Sequence, residues 1–403
     1  MSINQPHQHT MALKKATDRL LQQIIEKQAS NTQRDMRAYR NAKRKAMNPD
    51  CPHRTLLIDL LEDMYTDTHL SSQVELRVER SLRKPFIITN SKGDKNEEVT
   101  RLLSESIVFG ELLQILLETP YWGHSLFELS HSDTDLFKLD LLPRRHVIPA
   151  QGILLRDVAD SEGIHYREDP RYMQSIIEVG NPKDLGILID CVPDTIYRRH
   201  AKVAWVEFCE IFGVPPRILK MDTDDTEAMH RAEEMLTRMG RAAWIIIDQN
   251  EEMNFGNSVA GNTDIFERLN RAAKEDISVK ICGGVIGQDT AHGNRSKEEV
   301  ALKILDGKCN SDRMMVVKIM NSTIMPALAS LGYIPQGLRF GYPDEEDKGA
   351  LWDRTVQAMQ HFDVDEEWIR NTFGIQVTGK KQLPLSGQLK AQLNATQEDH
   401  FFG

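Results

Sequence analysis

A chain of 403 residues with a net charge of −10, 40% hydrophobic and 27% charged residues reads as an ordered protein of two or three domains, too long for one core of ordinary size. The acidic balance excludes tight wrapping around nucleic acid, because that affinity comes from Lys and Arg neutralising phosphates, but it leaves room for DNA passing close by. Sparse aromatics (6%) and abundant helix formers predict a helix-rich α+β protein.

In chain order, residues 1–10 are polar and lack the charged-then-apolar layout of a secretion signal. Leu13, Leu20, Leu21, Ile24 and Ile25 predict an amphipathic helix over Met11–Gln28. Residues 34–45 (RDMRAYRNAKRK) hold six basic residues against one acidic; this reads as a solvated, partly helical arm, with a nucleic-acid or partner contact as the alternative. Residues 54–84 read as one long helix with a stripe of Leu56, Leu57, Leu60, Leu61, Met64 and Tyr65, ended by Pro85, and FIIT (86–89) as a strand. A helix over 97–118 stops at Pro120. The segments YWGHSLFELSH, LFKLDLLP and HVIP then read as an antiparallel meander, continued by Ile164–Arg167 and Ile176–Val179.

At Pro193 the character changes. Tyr197, Ala201, Ala204, Trp205, Phe208 and Phe212 share one face of a helix over 194–212, capped by Asp194 and stopped by Gly213 and Pro215–Pro216. RILKM, a charged helix over 224–239, and the buried strand AAWIIID with EEMNF as its hairpin partner make a small αβ module. A second helix starts near Asp264, with Phe266, Leu269, Ala273, Ile277 and Ile281 on its face. Two helices that leave and return to one place around a compact knob suggest a stalk with a tip. A Gly-rich loop follows, then a helix over 297–325 stopped at Pro326, with Gly307 and Asn310 as candidate breaks. Two short helices surround Trp352 and Trp368, and 377–403 is a polar tail.

The sequence carries no complete catalytic or ligand-binding motif. CGGVIGQ lacks the GK[ST] of a phosphate-binding loop and follows a helix rather than a strand. GIQVTGKK places Gly374, Gly379 and Lys380 at P-loop spacing, but Lys381 stands where a hydroxyl should hold magnesium. No HxxxH or HExxH pairs two imidazoles on one helix face, no GxSxG is present, and Cys282 and His292 share a loop without a third orienting group. Cys51, Cys191, Cys209, Cys282 and Cys309 form no CxxC and read as reduced thiols of the cytosol. No apolar run reaches the roughly 18 residues of a membrane span. No catalytic, cofactor-binding or metal-ligating residue is predicted. The readings left open are a structural conduit, a nucleic-acid-processing enzyme, and a non-enzymatic helical adaptor.

Four stretches, in order, carry a family resemblance. They are LIDLLEDMYTDTHLSSQVELRVERSLRKPFII with its Asp-x-His-Leu and following Arg; LLQILLETPYWGHSLFEL; AKVAWVEFCEIFGVPPRILK with Trp205, Phe208, Glu210, Phe212, Gly213 and Pro215; and GGVIGQDTAHGNRSKEEVA. Together they resemble the Mu-like family of bacteriophage portal proteins over about residues 50–375. Ile286 stands where the family's loop motif has Leu, and Thr290 comes one position early.

The resemblance implies a portal fold. Residues 1–50 would be an N-terminal arm, 51–193 the α/β wing, 194–212 and 258–282 the two stem helices, and 213–257 the small αβ clip. The loop 283–296 would be the tunnel loop, 297–340 the long wing helix, 341–376 a short helical crown, and 377–403 a flexible tail. It further implies a homo-oligomeric ring, usually a dodecamer, at the head vertex of the virion, assembled in the host cytoplasm with major capsid and scaffold proteins. Terminase large subunit would dock on the clip at Arg217, Lys220 and Trp244. Double-stranded DNA would be packaged and ejected past Gln288, His292, Asn294 and Arg295, and head-completion or neck proteins would attach later. Trp205, Phe208 and Phe212 would pack the stem against Phe266, Leu269 and Ile277. No enzyme activity, cofactor or membrane is implied.

Overall fold

The computed structural model describes residues 30–160, 162–212, 217–221, 226–238, 244–248, 263–285, 295–343, 348–359 and 361–375. The helix expected over Met11–Gln28, most of the Gly-rich loop, EEMNF and the tail lie outside these residues. The chain divides into two units, one ending at Tyr342 and one beginning at Pro343.

In the first unit, helix α1 (30–46) precedes α2 (Thr55–Tyr65) and α3 (Thr68–Leu82). The single helix expected over 54–84 is therefore two. Asp67 has extended backbone, and its carboxylate accepts from the amides of His69 and Leu70 at 3.0 and 3.1 Å. A short acceptor that satisfies a helix start competes with helix continuation, so the chain restarts there. Strand β1 (Ile87–Thr89), α4 (Glu97–Glu105) and α5 (Ile107–Trp122) follow. Pro120 sits in the last turn of α5 rather than ending it; the helix closes at Gly123, whose amide donates to the Thr119 carbonyl at 2.8 Å. A β-carbon at Gly123 would lie 2.4 Å from the Asp184 carbonyl oxygen, and its φ of +82° suits only glycine.

The expected meander resolves into two sheets. In one, β2 (His124–Ser130) pairs antiparallel with both β3 (Lys138–Leu141) and β7 (Ile176–Gly180). In the other, β4 (Val147–Ile148), β5 (Ile153–Leu154) and β6 (Ile164–His165) pair in order. Helix α6 spans Leu188–Phe212, so it starts before Pro193. A proline this near a helix start removes only one intrahelical bond, which the start tolerates better than the middle.

Strands β8 (Arg217–Met221) and β9 (Trp244–Asp248) are parallel, with Arg217 opposite Trp244. Helix α7 (Thr226–Arg238) connects them as a βαβ unit. The described partner of β9 is thus β8 rather than a hairpin strand.

Helix α8 (Thr263–Cys282) returns along α6. Helix α9 (Arg295–Ile319) runs unbroken through Gly307 and Asn310. A π-helical turn over Met320–Ile324 leads into α10 (Met325–Ser330). The wider π turn carries the helical path past Pro326, whose ring would otherwise meet the carbonyl four residues back. Strand β10 (Arg339–Gly341) then pairs antiparallel with β1, Phe340 opposite Ile88.

One core joins these parts. Leu61, Leu70, Phe109, Leu112 and Leu116 from α2, α3 and α5 meet Ile277, Leu305, Val316 and Met320 from the second half of the chain. Each such side chain removed from water contributes about 1.5–3 kcal/mol. Phe86, Phe109 and Phe340 cluster with ring centroids 5.1–6.4 Å apart, Phe86 stacked on Phe340, and tie β1 to β10. In the second unit, α11 (Lys348–Ala358) and α12 (Glu366–Phe373) meet through Phe373, which packs edge-on against Trp352 and Trp368. The fold class is helix-rich α+β, as expected.

Candidate functional site

The most organised polar feature is a ladder on α3. His69, Gln73, Arg77 and Ser81 recur every four residues, so they form one row along the helix. All four are buried, at most 8% exposed. Charged and amide side chains rarely tolerate such burial unless they are paired, and three of these four address the last turns of α8. His69 Nε2 lies 3.0 Å from both the Lys274 carbonyl oxygen and Ser278 Oγ. Gln73 accepts from the Cys282 thiol on its backbone and side-chain oxygens, at 3.6 and 3.4 Å.

Arg77 donates at 2.6 Å to the carbonyl of Ile281 and at 2.7 Å, twice, to the carboxylate of Asp312 on α9. Its guanidinium also lies 5.8 Å from the centre of the Tyr121 ring. Burial alone would lower the Arg77 pKa, but the Asp312 hydrogen bonds and charge outweigh it, and the net shift is upward. Ser81 closes the row by donating to the Arg77 carbonyl at 2.9 Å.

Outer pairs reinforce this. Arg80 reaches Asp306 of α9 at 2.6 Å, Arg198 of α6 pairs with the capping Asp67, and Lys280 of α8 pairs with Asp190 of α6 at 2.6 Å. One helix therefore grips the last turns of α8 and the middle of α9. At the exit from α8, Gly283 has φ +87°, and a β-carbon there would lie 2.6 Å from Cγ2 of Ile304 and 2.7 Å from Cε of Lys308. The arrangement offers no nucleophile: burial pushes the Cys282 thiol up to about 11 and raises Cys309 as well. It is a rigid mount.

A second buried cluster looks more like chemistry. Glu178 on β7 accepts from His124 Nε2 (3.0 Å), the Tyr166 and Tyr172 hydroxyls (2.9 and 2.7 Å) and the Arg167 guanidinium (2.6 and 3.0 Å). Burial opposes its charge, yet these donors together hold the carboxyl well below the usual range. Burial likewise lowers the pKa of His124 against the pull of Glu178. A carboxylate with so many donors is spent on structure and is a poor base. Among the described residues no cluster of three or more His, Cys, Asp or Glu is placed to hold a metal ion, and no helix is long and apolar enough to cross a membrane.

With this geometry in view, comparison with known proteins decides the family. A family model described as "Portal protein of Mu bacteriophage" matches residues 58–375. The chain belongs to that family. The portal protein of Escherichia phage Mu is 26% identical over 201 residues, covering 47% of this chain and 39% of the relative, so the match spans less than half of that relative's length. Among solved structures, a chain of the neck of an empty GTA particle, computed with C6 symmetry, matches with a TM-score of 0.46 and 16% identity. The match covers 80% of this chain and 94% of that one. The Mu-portal span takes in the whole ladder from α3 to α9 and leaves α1 outside it.

Within this portal-family chain the predicted site residues fall in three places. Gln288, His292 and Asn294 lie outside the described residues, and Arg295 opens α9 with its side chain outside them. On the paired helices α6 and α8, Trp205 and Phe266 are half-buried and Ile277 is fully buried, whereas Leu269 is 43% exposed and faces away from the core of its own chain. The side chains of Phe208 and Phe212 are outside the described residues. Arg217 and Trp244 are register partners at the start of β8 and β9, and Lys220, further along β8, is exposed.

The ladder itself was not assigned from sequence, although Asp67, His69, Leu70 and Arg77 stand within the Asp-x-His-Leu…Arg stretch that carried the resemblance. A row of polar residues spaced by four, beside an apolar stripe of Leu70, Val74 and Val78, was the available signal.

Proposed function

We propose that this chain is the subunit of a phage portal: a homo-oligomeric, non-enzymatic ring at the unique vertex of the head, through which double-stranded DNA is packaged and later ejected. Membership of the Mu portal family is the observation that carries this reading. The surface of the α6–α8 pair agrees with it. Val203 and Val206 of α6, and Ile265, Leu269 and Val279 of α8, are 43–60% exposed, and apolar faces of this kind mark association sites. In the ring these faces would meet the same helix pair of neighbouring copies, making α6 and α8 the stem.

The β8–α7–β9 module would be the clip that receives terminase large subunit. Residues 283–296 would be the tunnel loop beside DNA, and the ladder of α3 its mount on the wing. Capsid, scaffold and neck proteins would meet other faces of the ring, and α11 with α12 would form a short crown.

Light scattering and electron micrographs of the purified protein test the reading. Rings with a central hole are expected; a monomer at every salt and protein concentration refutes the portal assignment. Deleting 286–294 should leave rings intact and block DNA packaging or retention, and loss of assembly on that deletion would refute the loop's placement.

A further inference from the structure

Helix α1 is strongly basic. Residues 30–46 hold six basic residues and one acidic, in a chain of net charge −10. The helix is docked, not free. His200 of α6 holds Asp35 at 2.9 Å, Ala42 and Ala46 are buried, and Met36 and Tyr39 pack against the core.

Docking fixes the orientation of the outer face. Arg37, Arg40 and Arg44 stand there in one row, all exposed, flanked by exposed Arg34 and Lys45. Among the described residues, Arg37, Arg40 and Arg44 have no acidic partner, Arg44 donating only to the neutral side-chain oxygen of Asn41, while Arg34 stands near Asp35. Beside the row runs an open groove between α1 and α6, lined by Thr32, Gln33, Met36, Arg37, Arg40 and the exposed ring of Tyr197.

We propose that this face of α1 is a docking surface for the phosphate backbone of duplex DNA. Three uncompensated cations held in line on a rigid helix constitute the electrostatic footprint of phosphate binding. Between residues 34 and 45 the helix advances about 17 Å, along which a duplex presents about ten phosphates, so no fine match of spacing is needed. The groove lining is polar in four of its six residues, whereas an acidic amphipathic peptide would need a broader apolar seat. Contacts to phosphate alone carry no base specificity, and three of them give weak, salt-sensitive holding. The inference goes beyond the portal reading and stands on the charge of one helix.

The test measures binding of the full-length protein to a short DNA duplex by fluorescence anisotropy across a salt series. The variants are R37A/R40A/R44A and the charge-keeping R37K/R40K. Loss of three phosphate contacts removes about 2.7 from the log–log salt slope, so between about 50 and about 200 mM salt each engaged wild-type site should lose about forty-fold more affinity than the triple alanine variant. The lysine variant should keep the wild-type slope. Circular dichroism of the three proteins should superimpose, because the altered side chains are exposed. Equal affinity and equal slope for wild type and the alanine variant would overturn the proposal. So would binding of a polyglutamate probe that the alanine variant loses while duplex binding is unchanged, which would assign the face to an acidic protein segment. Ring formation is scored separately by light scattering, so a failure here and a failure of the portal reading are distinguishable.

Discussion

Replacing Arg77 by alanine should be among the most damaging single changes in the chain. Its side chain is 9% exposed and that of Asp312 14%, so the pair lies in a dry environment where water cannot substitute for a lost partner. The substitution leaves the Asp312 carboxylate and the Ile281 carbonyl without their donors. Removing one member of such a pair costs about 3–5 kcal/mol. Asp312→Asn keeps an acceptor for the guanidinium and should cost less, about 1–3 kcal/mol. Replacing both members with apolar residues, R77M/D312L, removes the stranded charge and should be milder than R77A alone.

Urea unfolding followed by far-UV circular dichroism gives these differences. Hydrogen exchange at the amides of 279–285 shows whether the end of α8 loosens with them. The mount reasoning is refuted if R77A costs less than about 1 kcal/mol with no faster exchange there, or if the double variant costs the sum of the two single ones.

Three further outcomes are expected. Glu178→Gln should destabilise by about 3 kcal/mol near neutral pH, since it breaks a buried ionic network. Because the folded pKa of Glu178 is depressed, its contribution is complete above the ordinary carboxylate range and is lost as pH falls toward the folded value; the gap between wild type and variant in thermal melting should therefore narrow in acid, and a constant gap counts against the network. Thiol alkylation of the native protein at pH 8 should label exposed Cys209 and half-buried Cys51 first, with Cys191, Cys282 and Cys309 reacting only after unfolding; equal rates for all five would contradict their burial. Gly283→Ala should lower the melting temperature, through about 1–3 kcal/mol of backbone strain and the overlap with Ile304; an unchanged melting curve would show that the exit from α8 adapts.

Periodicity made most of the helices legible, because a buried face repeats wherever a helix meets a core. It failed where side chains decide locally. Asp67 splits the helix expected over 54–84 by capping a new start. Pro120 and Pro326 read as stops and Pro193 as the boundary before a new helix, yet each lies within a helical path. Two are near enough to a terminus to cost little, and the third follows a π turn that pattern counting does not see. The strand partners were less legible than the strands: β1 pairs with β10 and β9 with β8 in parallel, and such pairings depend on tertiary approach.

At the candidate site, the stretch bearing the Asp-x-His-Leu and its following Arg is legible in the sequence only as a family resemblance. Its meaning, a polar row gripping α8, needed the third dimension. The exposure of Leu269 shows the converse, since helical spacing put it on the same face as Ile277 but cannot say which apolar residue waits for a neighbour.

The pairing of Ile88 with Phe340 also sets an order of events during synthesis. The core draws its apolar side chains from α2, α3 and α5 and, much later in the chain, from α8, α9 and α10. While the ribosome is still translating the βαβ module, the first half has its helices but lacks the residues that cover Leu70, Phe109 and Leu116. Closure waits until Phe340 has emerged, and this leaves a long interval in which apolar surface stands open to chaperones and to other nascent copies. The segment from β8 to β9 is thus an insertion within a discontinuous domain, and a chain cut anywhere inside it would lack the second half of its own core.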